Sequence, residues 1–338
     1  MKITLICPTN YYGTSATSGI YYPMGILAVG TRLRQAFPDA EVAVIDGEID
    51  SRPLEELIRG SDVVGFSANT NNYPHVKEGA RIAKEQGIPV IVGGPHASAV
   101  IRHQGGRMPM AENILRNDPN IDAVVVYDGD EAFVRYVEER QKKHPHYEAI
   151  ANLFWRTPDG EIQENVAVLP TSPPLLAETD FSLMNLGRYW REHEKEYPEM
   201  SGEYMQGFTH VGCSWRDKSG GCAHCDISYP RNVYVSPKVF WDDLQKVQER
   251  FGVKSFKDYG DCLTGNPKAV WDLLAARPSS MEAVEFSCYG RSSEITDEMA
   301  DMLQALNVKY VYIGLDSGST RMLKNMNKGM LRGILWTP

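Results

Sequence analysis

Short apolar segments alternate with longer amphipathic segments along the first 140 residues of this 338-residue chain, and this alternation restricts the fold more than any other feature. The apolar segments have strand length and read ITLIC, EVAVID, DVVGFSA, PVIVGG and DAVVVYDG. The segments between them have apolar residues at helical spacing: GILAVGTRLRQAF, PLEELIRG, HVKEGARIAKEQG and MAENILRND. The alternation predicts an α/β fold with a doubly wound (Rossmann-like) domain over residues 1–140, in which helices cover both faces of a parallel sheet.

The carboxyl ends of these strands are the expected ligand-binding edge of the front domain. A doubly wound sheet binds its ligand in the crevice beyond those ends. In this chain they are residues 8–10, 46–47, 67–69, 93–96 and 128–131. Gly93 and Gly94 leave room for a flat macrocycle or a phosphate group to approach the backbone closely.

The alternation is lost over residues 141–200 and then resumes. We interpret 141–200 as a linker, with a hairpin at NLFWRTPDGEIQENV and a proline-rich crossing at LPTSPPLLAETDF. Within 201–338, strands are predicted at GFTHVGC, SFKDYGD, AVEFSCYG and YVYIGLDS, and helices at PKVFWDDLQKVQERF and DEMADMLQAL. Polar or reactive residues end each of these strands, as at the active-site end of a (β/α) barrel. The region therefore predicts a partial barrel that is truncated after its fourth strand.

Charge and cysteine usage exclude several classes of protein. The formal net charge of −9, from 35 basic and 44 acidic residues, argues against binding to the phosphate backbone of nucleic acids. No apolar segment is long enough to span a bilayer, and MKITLICPTN has the pattern of a strand rather than of a signal peptide. Three of the six cysteines fall within thirteen residues, unlike a secreted disulfide framework. We expect a cytoplasmic protein with no membrane span and no nucleic-acid partner.

Cys213, Cys222 and Cys225 form the strongest local signal in the chain. Thiolates are soft ligands, and three so close together can converge on one metal ion or cluster. A zinc site would need a fourth ligand, for which His210 or His224 is available. No second Cys-x-x-Cys or His-x-x-x-His pair follows, and a four-iron cluster with one open iron explains three thiolates better. Three buried cysteines without a metal are the weakest alternative, because the residues around them are polar.

The segment GCSWRDKSGGCAHC resembles the cluster loop of the radical S-adenosylmethionine (SAM) enzymes. In that family three cysteines hold a [4Fe-4S] cluster whose remaining iron binds the amino and carboxylate groups of SAM. The resemblance implies Cys213, Cys222 and Cys225 as metal ligands. The family spacing is three residues and then two, whereas this chain has eight and then two. We interpret the extra segment WRDKSGG as an enlarged loop whose glycines let the backbone double back.

Three further segments resemble the strands that bind SAM in this family: SFKDYGD, EFSCYGRSSEIT and YIGLDSGSTRMLKNMNKG. With the residue that precedes the last cysteine, they imply the SAM contacts His224, Asp261, Arg291, Asp316 and Ser317. Ser287 would face the same pocket. No catalytic residue beyond these contacts is assigned.

Several of these residues have alternative roles. His224 could ligate or support a zinc ion, and Arg291 could simply pair with Glu294 or Asp297. The position of Asp316 also suits a helix cap, which a neighbouring Ser or Thr could provide equally well. Asp258, on the same strand as Asp261, is interpreted as structural.

The front domain resembles the cobalamin-binding domain that precedes the barrel in one subgroup of radical SAM enzymes, through YYPMGILAVGTRLRQAF, DVVGFSA, VGGPHAS and YDGDEAF. The resemblance implies cobalamin contacts at Ser67, Asn69, Gly93, Gly94, Pro95, His96, Gly129 and Glu131. Domains that ligate cobalt through histidine carry Asp-x-His-x-x-Gly, and this chain has Glu48 at the histidine position after Asp46. We expect cobalamin without that histidine ligand. The alternatives are a phosphate-binding or empty regulatory domain, with His96 as a loop residue.

The combined resemblance implies a cobalamin-dependent radical SAM iron–sulfur enzyme that generates a 5'-deoxyadenosyl radical. C-methylation of a small molecule or a peptide is the first expectation, and rearrangement, ring formation or thioether chemistry are the alternatives. A flavodoxin or a ferredoxin would supply the electron. The family barrel has more strands than the four predicted here, and an open parallel edge exposes backbone groups. We therefore expect a fragment or a further chain that completes the barrel. The alternative function is a zinc-stabilised cytoplasmic binding or regulatory protein with a Rossmann-like ligand domain.

Overall fold

The computed structural model describes residues 1–11, 19–103, 106–169, 171–225, 229 and 232–329. The contacts within the chain divide it into two compact units. One unit comprises Met1–Pro170 and Thr179–Tyr189, and the other comprises Thr171–Glu178 and Trp190–Pro338. The end segment MLRGILWTP, on which the prediction of truncation rests, lies outside the described residues.

The first unit contains nine strands and five helices in its described part. The strands are β1 (Lys2–Cys7), β2 (Glu41–Asp46), β3 (Val63–Ser67), β4 (Val90–Gly93), β5 (Val100–His103), β6 (Gly106–Pro109), β7 (Ala123–Val125), β8 (Leu153–Arg156) and β9 (Ile162–Glu164). The helices are α1 (Met24–Ala36), α2 (Leu54–Ile58), α3 (Tyr73–Glu85), α4 (Met110–Asn117) and α5 (Asp130–Arg140).

The main sheet of this unit has the strand order β2-β1-β3-β4-β7-β8-β9. Its strands are parallel from β2 to β7, and β8 and β9 continue it as antiparallel strands. The strand order reverses between β1 and β3, and this switch point is where doubly wound sheets form their ligand crevice. The predicted doubly wound parallel sheet is therefore confirmed.

Two apolar layers cover the two faces of this sheet. On one face Val64, Phe66 and Val92 pack with side chains of α3 and α4, such as Val76 and Ile114. On the other face, Leu5, Val63 and Ile91 pack with α1 and α5. The strand side chains involved are nearly inaccessible to solvent, so the strands are apolar throughout, which is why the sequence pattern reveals them.

The second unit contains an open parallel sheet in its described part. Its elements are β10 (Tyr204–Gly207), β11 (His210–Val211), α7 (Ser214–Ser219), β12 (Val233–Tyr234), α8 (Pro237–Phe251), β13 (Ser255–Asp258), α9 (Pro267–Ala275), β14 (Glu285–Gly290), α10 (Asp297–Ala305), β15 (Val308–Ile313) and α11 (Thr320–Asn325). A further helix, α6 (Leu186–Glu196), begins in the first unit and ends in the second. The sheet order is β10-β13-β14-β15, and every pair is parallel. These strands do not close into a barrel among the described residues, as predicted for a partial barrel.

Helix α8 shows how the sheet is covered on one face. Proline occupies its first turn, where the missing N–H costs nothing, and Gly252 ends it with φ of 69°. The rings of Phe240 and Phe256 are 5.2 Å apart, and those of Trp241 and Phe286 are 5.8 Å apart. This aromatic layer fixes α8 against β13 and β14 and leaves the opposite sheet face for other groups.

Two segments differ from their predicted structure. GFTHVGC was expected to be one strand, but the parallel strand β10 ends at Gly207, and β11 pairs only with β12. The chain turns away at this point because Asp258, on β13, accepts hydrogen bonds from the N–H and hydroxyl of Thr209. The predicted hairpin forms as β8 and β9, but these strands extend the first sheet and are not free in a linker. No helix in the described part of the chain is long and apolar enough to cross a membrane.

Candidate functional site

The wide gap between the first two cysteines is occupied by helix α7. The N–H of Arg216 donates to the carbonyl oxygen of Cys213 (2.9 Å) and so starts the helix. Gly220 and Gly221 follow it with φ values of 82° and 85°, a left-handed conformation that glycine adopts without strain. The eight-residue spacing is therefore a short helix followed by a reversal, which brings the chain back to Cys222. This is the enlarged loop that the glycines predicted.

The chain after α11 holds this cysteine loop in place. The Asn327 side chain donates to the carbonyl oxygens of Ser219 (3.0 Å) and Gly221 (2.8 Å). In return, the Trp215 indole donates to the carbonyl oxygen of Asn327 (2.6 Å). A Cβ atom at Gly329 would lie 2.4 Å from the Trp215 ring, so only glycine fits beneath it. The loop is thus held by residues about a hundred positions away in the chain.

Arg291 places a buried positive charge beside the thiols. Its Nη1 lies 3.7 Å from the Cys222 Sγ, and its guanidinium carbon lies 4.5 Å from the centre of the Trp215 ring. Only 6% of the residue is exposed, and its Nε lies 3.5 Å from the Glu294 carboxylate. Arg291 thus forms the ion pair with Glu294, one of the roles predicted for it, and also contacts a cysteine thiol, which the sequence did not predict.

Cys213 is polarised toward its thiolate form. The neighbouring Cys262 side chain is the largest cause of a lowered Cys213 pKa, while the Cys262 thiol itself donates a hydrogen bond to the Glu294 carboxylate (3.2 Å). The N–H groups of Trp215 and Arg216 and the charge of Arg291 lower that pKa further, whereas burial raises it. Thiolate is the form of cysteine that ligates metals. The environment at the start of α7 therefore favours a metal ligand at Cys213.

The three cysteines fit an iron–sulfur cluster by their chemistry. All three are partly exposed, and the N–H of Cys225 donates to the carbonyl oxygen of Cys222 (3.1 Å) in a tight turn. Over the described ranges, no three His, Cys, Asp or Glu side chains stand close enough to bind one metal ion as they are now oriented. Three thiols on a fixed loop with a neighbouring arginine nevertheless provide the donors and the charge that a cluster with one open iron requires.

His210 is not available to a zinc ion. Its Nε2 accepts a hydrogen bond from the Cys262 N–H (3.1 Å), and its Nδ1 lies 2.9 Å from the Thr209 hydroxyl. The Thr209 hydroxyl in turn donates to Asp258 (2.7 Å). A Cβ atom at Gly260 would lie 2.2 Å from the imidazole ring, which is fully buried. Both ring nitrogens are therefore engaged in bracing the loop that follows β13.

The two aspartates after β13 have different surroundings. Asp258 is fully buried and accepts three hydrogen bonds from Thr209 and Gly260, which supports its interpretation as structural. Asp261 accepts a hydrogen bond from the Gly212 N–H (2.7 Å), next to the first cysteine. Asp261 is otherwise exposed to solvent. It therefore lies at the cysteine loop, and its role as a SAM contact stays a prediction.

His224, Asp316 and Lys328 form a second charged group beside the loop. The His224 Nε2 lies 3.5 Å from one oxygen of Asp316, and the Lys328 ammonium contacts the other oxygen. Ser319, and not Asp316, caps α11 by accepting a hydrogen bond from an N–H of its first turn. The Ser317 hydroxyl accepts from the Ser319 N–H (3.1 Å). Asp316 is therefore not a helix cap, and it lies within reach of the histidine that precedes the last cysteine.

Glu48 occupies a defined position at the ligand-binding edge of the first unit. One of its carboxylate oxygens accepts hydrogen bonds from the Asn10 N–H (2.8 Å) and the Thr9 hydroxyl (3.1 Å). The other oxygen is buried, and no hydrogen bond to it is formed within the described residues. The N–H of Glu48 donates to Asp46 (3.0 Å). The loop after β2 thus places a carboxylate where a histidine-ligating cobalamin domain would have imidazole.

The ends of β3 and β4 form one continuous surface. Ser67 and Gly93 are register partners, and the N–H of His96 donates to the Ala68 carbonyl oxygen (2.9 Å). Gly94 has φ of 92°, and a Cβ atom there would lie 2.7 Å from the Ala68 oxygen. The centres of the His96 and Tyr73 rings are 4.5 Å apart, with Tyr73 at the start of α3. Burial lowers the His96 pKa.

The remaining predicted cobalamin contacts lie in three other places. Pro95 connects Gly94 to His96. The Asn69 side chain accepts hydrogen bonds from the N–H groups of Asn71 and Asn72 and shapes the turn after β3. Gly129 immediately precedes α5. Glu131, in the first turn of α5, forms exposed ion pairs with Arg32 and Arg135, so its charge is already directed to the surface of the unit.

The sequence did not reveal three residues that shape the cysteine loop. Asn327 would have been detectable as an Asn-x-Gly segment after a helix, a pattern that favours a left-handed residue, and its φ is 50°. Trp215 lies inside the unusual insertion itself. Cys262 is buried after β13, and the sequence does not indicate that its side chain lies near Cys213 and affects the pKa of that thiol.

The family comparison concerns the first unit. Residues 14–137 match the model of the B12 binding domain. The matched span includes the ends of β2, β3 and β4 and extends into α5, so it contains all eight residues that the sequence predicted as cobalamin contacts. This match supports a cobalamin-binding front domain.

Two curated relatives are similar to this chain. An uncharacterised methyltransferase of Pyrococcus horikoshii is 23% identical over 350 residues, covering 98% of this chain and 68% of the relative. The cytidylyl-2-hydroxyethylphosphonate methyltransferase of Streptomyces wedmorensis is 22% identical over 311 residues, covering 80% of this chain and 52% of the relative. The chain thus spans 68% of the length of the first protein and 52% of the length of the second.

Two solved structures have the same fold. The cobalamin-dependent SAM radical enzyme OxsB, with aqua-cobalamin and SAM bound, superposes with a TM-score of 0.68 at 17% identity, covering 98% of this chain and 46% of that chain. The radical SAM methyltransferase TsrM from Kitasatospora setae, with tryptophan and a SAM analogue bound, gives a TM-score of 0.63 at 16% identity, covering 96% of this chain and 61% of that chain. At this identity the similarity establishes the fold: a B12-binding type of domain followed by the fold of radical SAM enzymes.

Proposed function

We propose that this chain, whose front unit matches the B12 binding domain and whose fold is that of cobalamin-dependent radical SAM enzymes, is part of a methyltransferase of that type. It would bind a corrinoid in its first unit and a [4Fe-4S] cluster with SAM in its second. Transfer of a methyl group to a carbon atom is the reaction we favour. The chain covers only part of its relatives, so this activity is proposed for the whole protein.

The observation that carries the proposal is the construction of the cysteine loop. Cys213 begins a helix, Cys222 and Cys225 follow a glycine reversal, and a buried arginine touches the second thiol. This loop stands at the carboxyl end of parallel strands, where folds of this kind assemble their active sites. A zinc site is less consistent with the loop, because His210 is fully engaged and His224 faces Asp316.

Cys213, Cys222 and Cys225 would hold the cluster, which when bound would pass one electron to SAM. Arg291 would offset the negative charge of the thiolates, since its guanidinium is fixed by Trp215 and Glu294. Burial of this charge away from water reduces its screening and so strengthens its effect on the thiolates.

Asp261 and Asp316 would orient SAM from two sides of the loop. Asp261 already accepts a hydrogen bond from the backbone beside Cys213, which fixes its carboxylate. From this position the carboxylate would accept a hydrogen bond from the SAM amino group. Asp316 is the better candidate for binding the ribose, because one carboxylate can accept hydrogen bonds from both ribose hydroxyls. His224, partly exposed beside Asp316, would lie against the adenine.

The first unit would bind the corrinoid at the carboxyl ends of β1 to β4. Gly93 has no atom closer than 3.7 Å to a Cβ position, so a flat ring can approach its backbone. Glu48 replaces the histidine of the usual motif, and its carboxylate is held by Thr9 and Asn10. We therefore propose that the cobalt receives no histidine ligand from this loop.

Anaerobic reconstitution of the full chain with iron and sulfide, followed by hydroxocobalamin, tests this proposal. We expect about four irons per chain, as a single cluster requires, and a corrinoid that remains bound through gel filtration. Cys222→Ala should lose the iron and keep the corrinoid. Cys288→Ala is the matched control, because Cys288 is fully buried in β14 and should keep both. A colourless protein with one zinc and no corrinoid would refute the proposal.

A further inference from the structure

The sheet of the second unit presents a polar row on the face opposite to the aromatic layer of α8. The strand register aligns Gln206, Lys257, Ser287 and Tyr310 across the four strands. The first three of these residues are each 1% exposed. A lysine in a nearly sealed position is unusual, since an ammonium group loses its hydration when it is buried.

A row of tyrosines lies on the same face of the sheet, two residues closer to the carboxyl ends of the strands. The Tyr259 and Tyr289 ring centres are 6.4 Å apart, and those of Tyr289 and Tyr312 are 5.5 Å apart. All three tyrosines are partly exposed, whereas Lys257 beneath them is buried. The tyrosine row is therefore the part of this face that a ligand would meet first.

The Lys257 ammonium is held against these rings. Its nitrogen lies 4.3 Å from the centre of the Tyr289 ring and 3.2 Å from that of Tyr312. The negative face of an aromatic ring attracts a cation, so the two rings fix the ammonium at this point. His193 of α6 also faces the group, and burial and the Lys257 charge lower its pKa to about 4, so it is neutral. Burial lowers the Lys257 pKa to about 7, and the nearby Asp258 carboxylate opposes this shift.

The tyrosine row is continuous with the cysteine loop. Tyr289 is two residues from Arg291, whose guanidinium contacts Cys222. Asp261, two residues after Tyr259 in the chain, accepts a hydrogen bond from the Gly212 N–H beside Cys213. A molecule lying on the tyrosine row would therefore be adjacent to the predicted SAM site.

We propose that Tyr259, Tyr289 and Tyr312, with Lys257 beneath them, bind the substrate, and that the substrate is a planar aromatic molecule with a negatively charged substituent. The rings offer stacking or edge contacts to a flat molecule. The ammonium, buried away from water, attracts an anion more strongly than it would in bulk solvent. This inference rests on the proposed function, because it assigns the substrate class to the same active site.

Binding of three simple probes to the full chain tests the inference. The probes are 2-naphthoate, 2-naphthalenemethanol and cyclohexanecarboxylate, and calorimetry or probe fluorescence gives each dissociation constant. We expect 2-naphthoate to bind roughly tenfold to a hundredfold more tightly than the other two, as one charged contact contributes. Equal binding of the alcohol and the carboxylate by the wild-type protein would overturn the inference, whatever the variants show.

Two variants and a matched control locate the site. Lys257→Met should weaken 2-naphthoate to the level of the alcohol and leave the alcohol unchanged. Tyr312→Leu should weaken both aromatic probes. Lys309→Met removes the same charge from an exposed position of β15 and should change neither. Loss of 2-naphthoate binding in Lys309→Met, or full binding in a folded Lys257→Met, would place the anion elsewhere.

The measurement is made before and after cluster reconstitution, so that the two proposals can fail separately. A normal cluster with no preference for 2-naphthoate overturns the substrate class alone. Selective binding by a chain that assembles no cluster overturns the proposed function alone.

Discussion

The Arg291 guanidinium lies 3.7 Å from the Cys222 sulfur, although 69 residues separate them. This contact joins the end of β14 to the cysteine loop and places the charge of a buried arginine where thiolates would ligate iron. Arg291→Met should therefore lower the reduction potential of a bound cluster, since the potential follows the net charge around it. Potentiometric titration followed by electron paramagnetic resonance measures the change. An unchanged potential would mean that Arg291 serves only to pair with Glu294.

Asn327 should be required for the shape of the cysteine loop. Asn327→Ala removes its hydrogen bonds to Ser219 and Gly221 and should cost about 1–3 kcal/mol of unfolding free energy. Iron content after reconstitution should fall as well. Asn307→Ala is a matched control, since Asn307 also has a positive φ and donates to two carbonyl oxygens, but away from the loop. Equal iron loss in both variants would indicate general destabilisation.

His193 should make the second unit sensitive to acid. Its pKa is about 4 in the folded chain, mainly because of burial, against an ordinary value of 6.5. Between these two pH values the unfolded chain binds more protons than the folded chain. The contribution of neutral His193 to the free energy of unfolding is therefore fully present above pH 6.5 and decreases as the pH falls toward 4. From pH 8 to pH 5 we expect a loss of about 2 kcal/mol that His193→Phe does not show. Denaturant unfolding at both pH values measures it, and parallel losses in both proteins would contradict this assignment.

Gly94 should tolerate no side chain. At φ of 92°, a Cβ atom would lie 2.7 Å from the oxygen and 2.9 Å from the nitrogen of Ala68, backbone atoms that cannot move independently. Gly60→Ala, at φ of 72° with nothing nearby, should cost only about 1 kcal/mol of backbone strain. Gly94→Ala should cost more and should reduce corrinoid retention, as thermal unfolding and gel filtration would show. Similar effects of both substitutions would mean that the ends of β3 and β4 are less tightly packed than observed.

The sequence pattern predicts the first sheet well, because its strands are buried on both faces and are apolar throughout. It does not predict α6, whose segment LGRYWREHEKE is mostly polar and carries few apolar residues to define a face. It also predicts that the strand continues beyond Gly207, where β10 ends. The contact of Asp258 with Thr209 turns the chain there, and this contact forms only when distant parts of the chain fold together.

The candidate site divides in the same way. The cysteines and the acidic strand ends are visible in the sequence because they are local groups of reactive residues. Asn327, Cys262 and Lys257 are not visible, because their roles depend on which strands and loops become neighbours. The sequence suggested Arg291 either as a SAM contact or as a partner of Glu294 or Asp297, and the structure shows the pairing with Glu294 together with a thiol contact that the sequence did not predict.

The central claim is that SAM binds to an iron held by only three cysteines. Electron–nuclear double resonance of the reduced, reconstituted chain with SAM labelled by ¹⁵N at the amino group and ¹⁷O at the carboxylate tests it most directly. We expect couplings from both labels to the cluster, and their loss in Cys222→Ala but not in Cys288→Ala. A reduced cluster whose spectrum shows no coupling to either label would contradict the claim.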